Sequence, residues 1–126
     1  MEEKYKFIFD RSTKILYKHY YGPITFEDIF SSWDYAINNN LIPAETKGFI
    51  SDYRNAHFEI NLKEYTKIAD YFKKHLDVFG NKKIAVITRK PKDTVVTALV
   101  ETKDEGYLSR SFYTTEAAEQ WVLGES

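Results

Sequence analysis

The sequence predicts one α/β domain on a mixed, mostly parallel sheet, with elements in the order ββαβαβαβα. Three observations carry that prediction. Segments of period-two alternation or short apolar runs alternate along the chain with segments whose apolar residues recur every 3.6 positions. The first two strands are separated by a short turn, whereas each later pair is separated by a helix, the spacing of parallel strands joined by right-handed crossovers. The run IAVI at 84–87 is apolar on both faces, as a central parallel strand covered on both sides requires.

YKFIFD (5–10) and KILYKHYYG (14–22) alternate cleanly and are joined by RST, so they read as an antiparallel hairpin. Tyr5, Phe7 and Phe9 share one face of the first strand. Ile15, Tyr17, His19 and Tyr21 share one face of the second, opposite Leu16, Lys18 and Tyr20. The first helix opens at Thr25, whose hydroxyl can cap free amides while Asp28 reaches back, and Ile24 and Ile29 form a hydrophobic staple. Its buried stripe is Phe26, Ile29, Phe30, Trp33, Ala36 and Ile37, and Asn38 to Asn40 with Pro43 end it. A short strand at 47–54 (KGFISDYR) follows. One long helix is predicted over 60–80, with Asn61 as cap, Glu64 as its partner, Ile60 and Tyr65 as staple, and Gly80 as a left-handed C-cap. Its stripe is Leu62, Tyr65, Ile68, Ala69, Phe72 and Leu76. After the central strand come a β-branched helix at 92–106 ending at Gly106, an alternating edge strand LSRSF (108–112), and a closing helix at 114–124 with Ala117, Ala118, Trp121 and Val122 inward.

Composition narrows the function classes. A chain of 126 residues fits a single domain, 1–126, with one principal core. It has no cysteine, which excludes disulfides, thiolate metal sites and Cys nucleophiles. A net charge of −1 argues against nucleic-acid binding, which depends on neutralising phosphates. No apolar run approaches the ~18–20 residues of a membrane span, and the first ten residues lack a signal-peptide core, so a cytoplasmic location is expected. Ten Tyr, nine Phe and two Trp against one Met leave rings either for a dense core or for an exposed contact surface.

Ligands of open α/β sheets sit beyond the carboxyl ends of the strands. That rule selects Asp52, Tyr53 and Arg54 after the third strand, and Thr88, Arg89 and Lys90 after the fourth; with His57 in the same loop, the candidate binding residues are Asp52, Tyr53, Arg54, His57, Arg89 and Lys90. Arg54, Arg89, Lys90 and Lys92 together can hold an anion, though no Gly-rich phosphate loop precedes any helix; a plain Asp52–Arg54 contact in a solvated loop is the structural alternative. None of His19, His57 and His75 has a second metal ligand at helical spacing, and no GxSxG elbow is present. No cofactor, no metal and no catalytic residue is therefore expected.

Three segments together resemble the SpoIIAA-like group, which covers STAS domains and small STAS/SEC14-type proteins: the hairpin with YYGPITFEDIFSSWDYA, then KGFISDYRNAHFEINLKEYTKIADYF, then SRSFYTTEAAEQWVL. The resemblance covers nearly the whole chain. It implies a β-α superhelix with helices mainly on one side of the sheet, and non-catalytic roles: partner binding in regulatory switches, or carriage of apolar ligands in the SEC14-like branch. Phosphorylatable STAS domains open the helix after the third strand with D-S-S-G. The matching positions here are Ile60, Asn61, Leu62 and Lys63, so the phosphoacceptor has no counterpart, and Asn61 is expected only to cap. Two functions follow as expectations. One is a protein-binding or homodimerising module using rings among Tyr5, Phe7, Tyr17 and Tyr21 on an uncovered sheet face. The other is a carrier of a small apolar or lipid-like ligand held by Phe30, Trp33, Phe49 and Phe72.

Overall fold

The expected hairpin and crossovers assemble into a single five-stranded sheet in the order β1-β2-β3-β4-β5. The structure, a computed structural model, describes residues 3–124. Its strands are β1 (Tyr5–Asp10), β2 (Ile15–Ile24), β3 (Gly48–Phe58), β4 (Lys83–Ile87) and β5 (Leu108–Phe112). Its helices are α1 (Phe26–Asn38), α2 (Thr66–Lys74), α3 (Leu76–Phe79), α4 (Pro91–Glu101) and α5 (Thr115–Val122), with a 3-10 turn at Leu62–Glu64. β1 runs antiparallel to β2, and every other neighbouring pair is parallel.

Strand order explains where the helices lie. When parallel strands follow one another sequentially across a sheet, right-handed crossovers place every connecting helix on the same face. Thus α1, α2, α3 and α4 pack on one face around Leu16, Tyr20, Trp33, Phe49, Phe72, Phe79 and Ile84. Among the described residues no strand follows β5, and α5 folds onto the opposite face against Ile15, Ile50, Ala85 and Ile87. Helices therefore cover part of both faces. Of the rings expected on an open face, Tyr5 and Phe7 instead pack on the α1 side, and Tyr17 packs against the α5 cluster.

The first helix starts as the sequence predicts. Asp28 donates its amide to Thr25 Oγ1 at 3.2 Å, and the Thr25 amide donates to Asp28 Oδ2 at 2.9 Å, closing the capping box. Trp33 is 1% exposed and stands edge-on to Phe7, Phe49 and Phe79, with ring centroids 5.2–5.7 Å away.

The predicted helix at 60–80 is instead broken twice. Asn61 accepts from the Lys63 amide at 3.0 Å, a two-residue reach that tightens the start into a 3-10 turn, and Glu64 pairs with Lys67 rather than closing a box. A second break at His75 (φ −122, ψ 44) separates α2 from α3. Leu62 in the 3-10 turn and Leu76 at the start of α3 are about 40% exposed, and Phe79 is buried completely against Phe49, Phe72 and Trp33. Gly80 is extended rather than left-handed (φ −60, ψ 139); Asn81 takes the positive φ. α4 stops at Glu101, before the predicted Gly106.

Replacing Thr25 with Ala should cost about 0.5–2 kcal/mol through loss of the cap, and replacing Trp33 with Ala about 3–5 kcal/mol through loss of a buried ring. Urea melts giving the opposite order would contradict the position of α1.

Candidate functional site

β3 is longer than its apolar start suggests, running to Phe58, so Asp52, Tyr53, Arg54 and His57 lie within a strand and not in a loop beyond its end. Its pairing with β2 slips by one residue: His19 opposes Asp52, but Tyr21 opposes Asn55, so Tyr53 and Arg54 together face Tyr20. A bulge re-aims the residues that follow it. Up to Tyr53 the odd positions Phe49 and Tyr53 enter the helix-covered core; after the slip, Ala56 and Phe58 do so. Asn55 and His57 are thereby turned to the outer face, with Tyr21 and Pro23 beside them on β2.

On that face Arg54 clamps Asp52 through Nη2 to Oδ2 at 2.6 Å, Nε to both oxygens at 3.0 and 3.1 Å, and its amide to Oδ1 at 2.9 Å. His19 Nδ1 lies 3.4 Å from Asp52 Oδ2. Burial pulls the Asp52 carboxyl upward, but the Arg54 bonds and charge outweigh it and hold the carboxyl below the usual carboxylate range. The contact expected between Asp52 and Arg54 is present, on the rigid sheet. Beneath it, Tyr17 donates its hydroxyl to Glu119 of α5, tying the closing helix to β2. Beyond α5 the face is open: Tyr21 is 38% exposed and Asn55 is exposed, while Arg54 and His57 are half-buried.

Tyr53 is 4% exposed and stacks on Tyr20 with centroids 4.3 Å apart, so it belongs to the core and not to a binding surface. Burial first, and Tyr20 beside it, raise its hydroxyl pKa well above the ordinary value. His57 and Lys90 are brought together with Glu59, Lys92 and Asp93 around an open groove of about 490 Å³ at the carboxyl end of the sheet. Lys90 is committed there, donating to the Ala56 carbonyl at 2.8 Å. Lys90 and Lys92 line this groove, and Arg54 and Arg89 do not. Asp93, buried at the start of α4, accepts from the Phe58 amide at 3.0 Å and anchors the end of β3.

Lys18 lies in phase with Leu16 and Tyr20 on β2. Alternation places it on the inner face, and it is 0% exposed. Its Nζ lies 4.2 Å from the Trp33 ring centroid, 4.5 Å from Tyr20, 5.2 Å from Phe7 and 5.5 Å from Tyr5. It donates to Ser32 Oγ, whose own proton goes to the Ile29 carbonyl at 2.9 Å. Burial drives the amine pKa well below its ordinary value; the four ring faces favour the cation and offset part of that effect. A lysine in phase with Leu16 and Tyr20 was the available signal.

The residues expected to hold an apolar ligand are mostly close-packed. Trp33 and Phe72 line a cavity of about 40 Å³ between sheet and helices, far below the ~300–1,000 Å³ of pockets that enclose drug-sized ligands. Phe49 is fully buried, and Phe30 stacks on Tyr71. No helix among the described residues is long and apolar enough to cross a membrane.

No family model matches the chain, and no curated protein matches it. Among solved structures it is similar to an uncharacterized DUF3478-family protein with a SpoIIAA-like fold from Shewanella loihica PV-4. The TM-score is 0.65 at 18% identity, covering 97% of this chain and 98% of that one. The fold is therefore SpoIIAA-like, as the resemblance implied, with its mixed sheet and N-terminal antiparallel strand.

The buried amine predicts a pH dependence. The folded pKa of Lys18 lies below its unfolded value of about 10.4. Between the two values the unfolded chain holds a proton that the folded chain does not, so stability rises with pH across that window and falls as pH drops through it. Lys18→Met should be more stable at neutral pH by about 1–4 kcal/mol and should lose that slope. Chemical denaturation of both proteins from about pH 6 to 9 tests this; a destabilised Met variant with the slope unchanged would mean the amine stays charged.

Proposed function

We propose that the chain is a non-catalytic, STAS-like protein-binding module that presents the open part of its outer sheet face, over β2 and β3, to another protein. One observation supports this above others: Arg54 is held by Asp52 in a fixed orientation on a strand, beside an exposed Tyr21. Tyr and Arg are the residue types that most often carry interface energy, and a side chain already ordered loses less entropy when a partner arrives. Two guanidinium nitrogens are bonded to Asp52, which leaves donors for a carboxylate or carbonyl of the partner.

The polar groups near the strand ends also favour binding over chemistry, because they are occupied in holding the fold. Asp52 is clamped by Arg54, Lys90 by a carbonyl, and Asp93 by the end of β3. At the start of the helical segment after β3, Asn61 caps the Lys63 amide and offers no hydroxyl. Ser51 is 5% exposed within β3. Thr66 is the first residue of α2.

Affinity capture from a lysate of the producing cells, with wild type beside the Tyr21→Ala/Arg54→Ala double variant, tests the surface. Proteins retained by wild type should fall by about tenfold or more on the double variant, whose folding is checked by circular dichroism. Equal retention of every bound protein would overturn the assignment.

A STAS-directed kinase should leave wild-type segment 60–66 unmodified, while Asn61→Ser gains an acceptor at the start of the 3-10 turn. Phosphate on wild-type Thr66 or Ser51, with altered partner capture, would establish a switch instead.

A further inference from the structure

The free edge of β1 supports an inference that does not use the β2–β3 face. β1 ends the sheet. Tyr21 donates to the Lys4 carbonyl at 2.9 Å, and Lys14 to the Asp10 carbonyl at 2.8 Å. In an antiparallel ladder alternate residues turn both backbone groups to the same neighbour. Lys6, Ile8 and Asp10 therefore face β2, and Tyr5, Phe7 and Phe9 turn their amides and carbonyls outward. Such an edge is a template for another strand, and natural proteins commonly block it with charge.

The charges on this edge are arranged to be self-complementary. Lys6 and Asp10 stand two residues either side of Ile8 in YKFIFD, and all three lie on the outer face, with Ile8 43% exposed. Set two copies antiparallel with Ile8 opposite Ile8. Each Lys6 then meets the other copy's Asp10, and each Phe7 meets the other copy's Phe9. The facing residues Phe7 and Phe9 are those whose backbone groups already point outward, so both exchange their hydrogen bonds. A slip of one residue would oppose inward-turned groups, and a slip of two would set a charge against Ile8. Hydrogen-bond parity and charge select the same register. Asp10 Oδ1 is held by the Ser12 amide and hydroxyl at 2.9 and 2.7 Å, which fixes the carboxylate in place.

We propose that a second copy of this chain pairs antiparallel with β1, Ile8 on the two-fold axis and Lys6 opposite Asp10, so that one continuous sheet runs through both subunits. The interface is isologous, each subunit using the same strand.

The absence of cysteine makes the register directly testable. In the proposed pair the two Ile8 Cα atoms stand about 4.5 Å apart, within the ~4.4–6.8 Å that a disulfide spans. The two Lys6 positions are roughly 14 Å apart, four residues at ~3.4 Å each. Mild oxidation should link Ile8→Cys into a covalent dimer and leave Lys6→Cys unlinked. Light scattering should give wild type twice 14.9 kDa, and Lys6→Glu should weaken the dimer about tenfold or more by setting like charges opposite. A wild-type monomer at high micromolar concentration overturns the proposal. So does a dimer in which Ile8→Cys fails to link or Lys6→Cys links equally well. Lys6→Glu carried through the capture experiment should keep the partners of the β2–β3 face, which separates failure of one surface from failure of the other.

Discussion

β3 must serve one core with two apolar series that are out of phase. Phe49 and Tyr53 occupy odd positions, Ala56 and Phe58 even ones, and all four are buried on the same side of the sheet. A regular strand would send one of these series to solvent, since a one-residue change of phase exchanges every side chain between faces. The slip at Tyr53 and Arg54 against Tyr20 reconciles them. Tyr20 stacks on Tyr53, and Tyr53 packs on Phe58 with centroids 4.5 Å apart, so the irregularity is filled by rings. The same slip carries Asn55 and His57 outward and lets Arg54 fold back along the strand onto Asp52. The core's demand for phase and the composition of the outer face are one constraint.

The aromatic excess has its main use in the core. Phe7, Trp33, Phe49, Phe79, Phe72 and Tyr107 form a continuous series of edge-on and tilted contacts under the sheet. Aromatic pairs in these arrangements gain from quadrupole complementarity beyond simple burial. Lys18 sits within this aromatic region, its amine surrounded by π faces and bonded to a single neutral hydroxyl. A cation taken from water at this depth is costly, and ring faces return part of what solvent supplied. Met or Leu would fit the pattern of the strand, so the lysine is the residue least explained by folding alone.

The surfaces left uncovered follow from topology. Sequential strand order sends the crossover helices to one face, and a single short helix, α5, remains for the other. It reaches β3, β4 and β5 and is tied to β2 through Tyr17 and Glu119. The outward ends of β2 and β3, and the free edge of β1, lie beyond it. The protein thus combines a dense core with open strand surfaces, and those surfaces are polar enough to remain in water: Lys6, Asp10, Arg54 and His57 are distributed among Ile8 and Tyr21.

The sequence by itself determined the fold class, the number of strands and their order along the chain, and the starts of α1 and α5 at Thr25 and Thr114. The capping box at Thr25, the alternation of the hairpin and the doubly apolar β4 depend on residues a few positions apart, and local patterns record such effects directly. The tertiary structure alone decided strand order in the sheet, the slip between β2 and β3, the break at His75, and the burial of Lys18. Each depends on a partner distant in the chain: Tyr20 against Tyr53, Phe79 beneath Trp33, Lys18 against Ser32. The candidate site was legible only as residue types. That Asp52 and Arg54 lie on the sheet, with Tyr53 turned into the core, follows from a register that only long-range pairing sets. The change of phase between Tyr53 and Ala56 was its one trace in the sequence, and it acquires meaning only when β2 supplies the strand against which phase is measured.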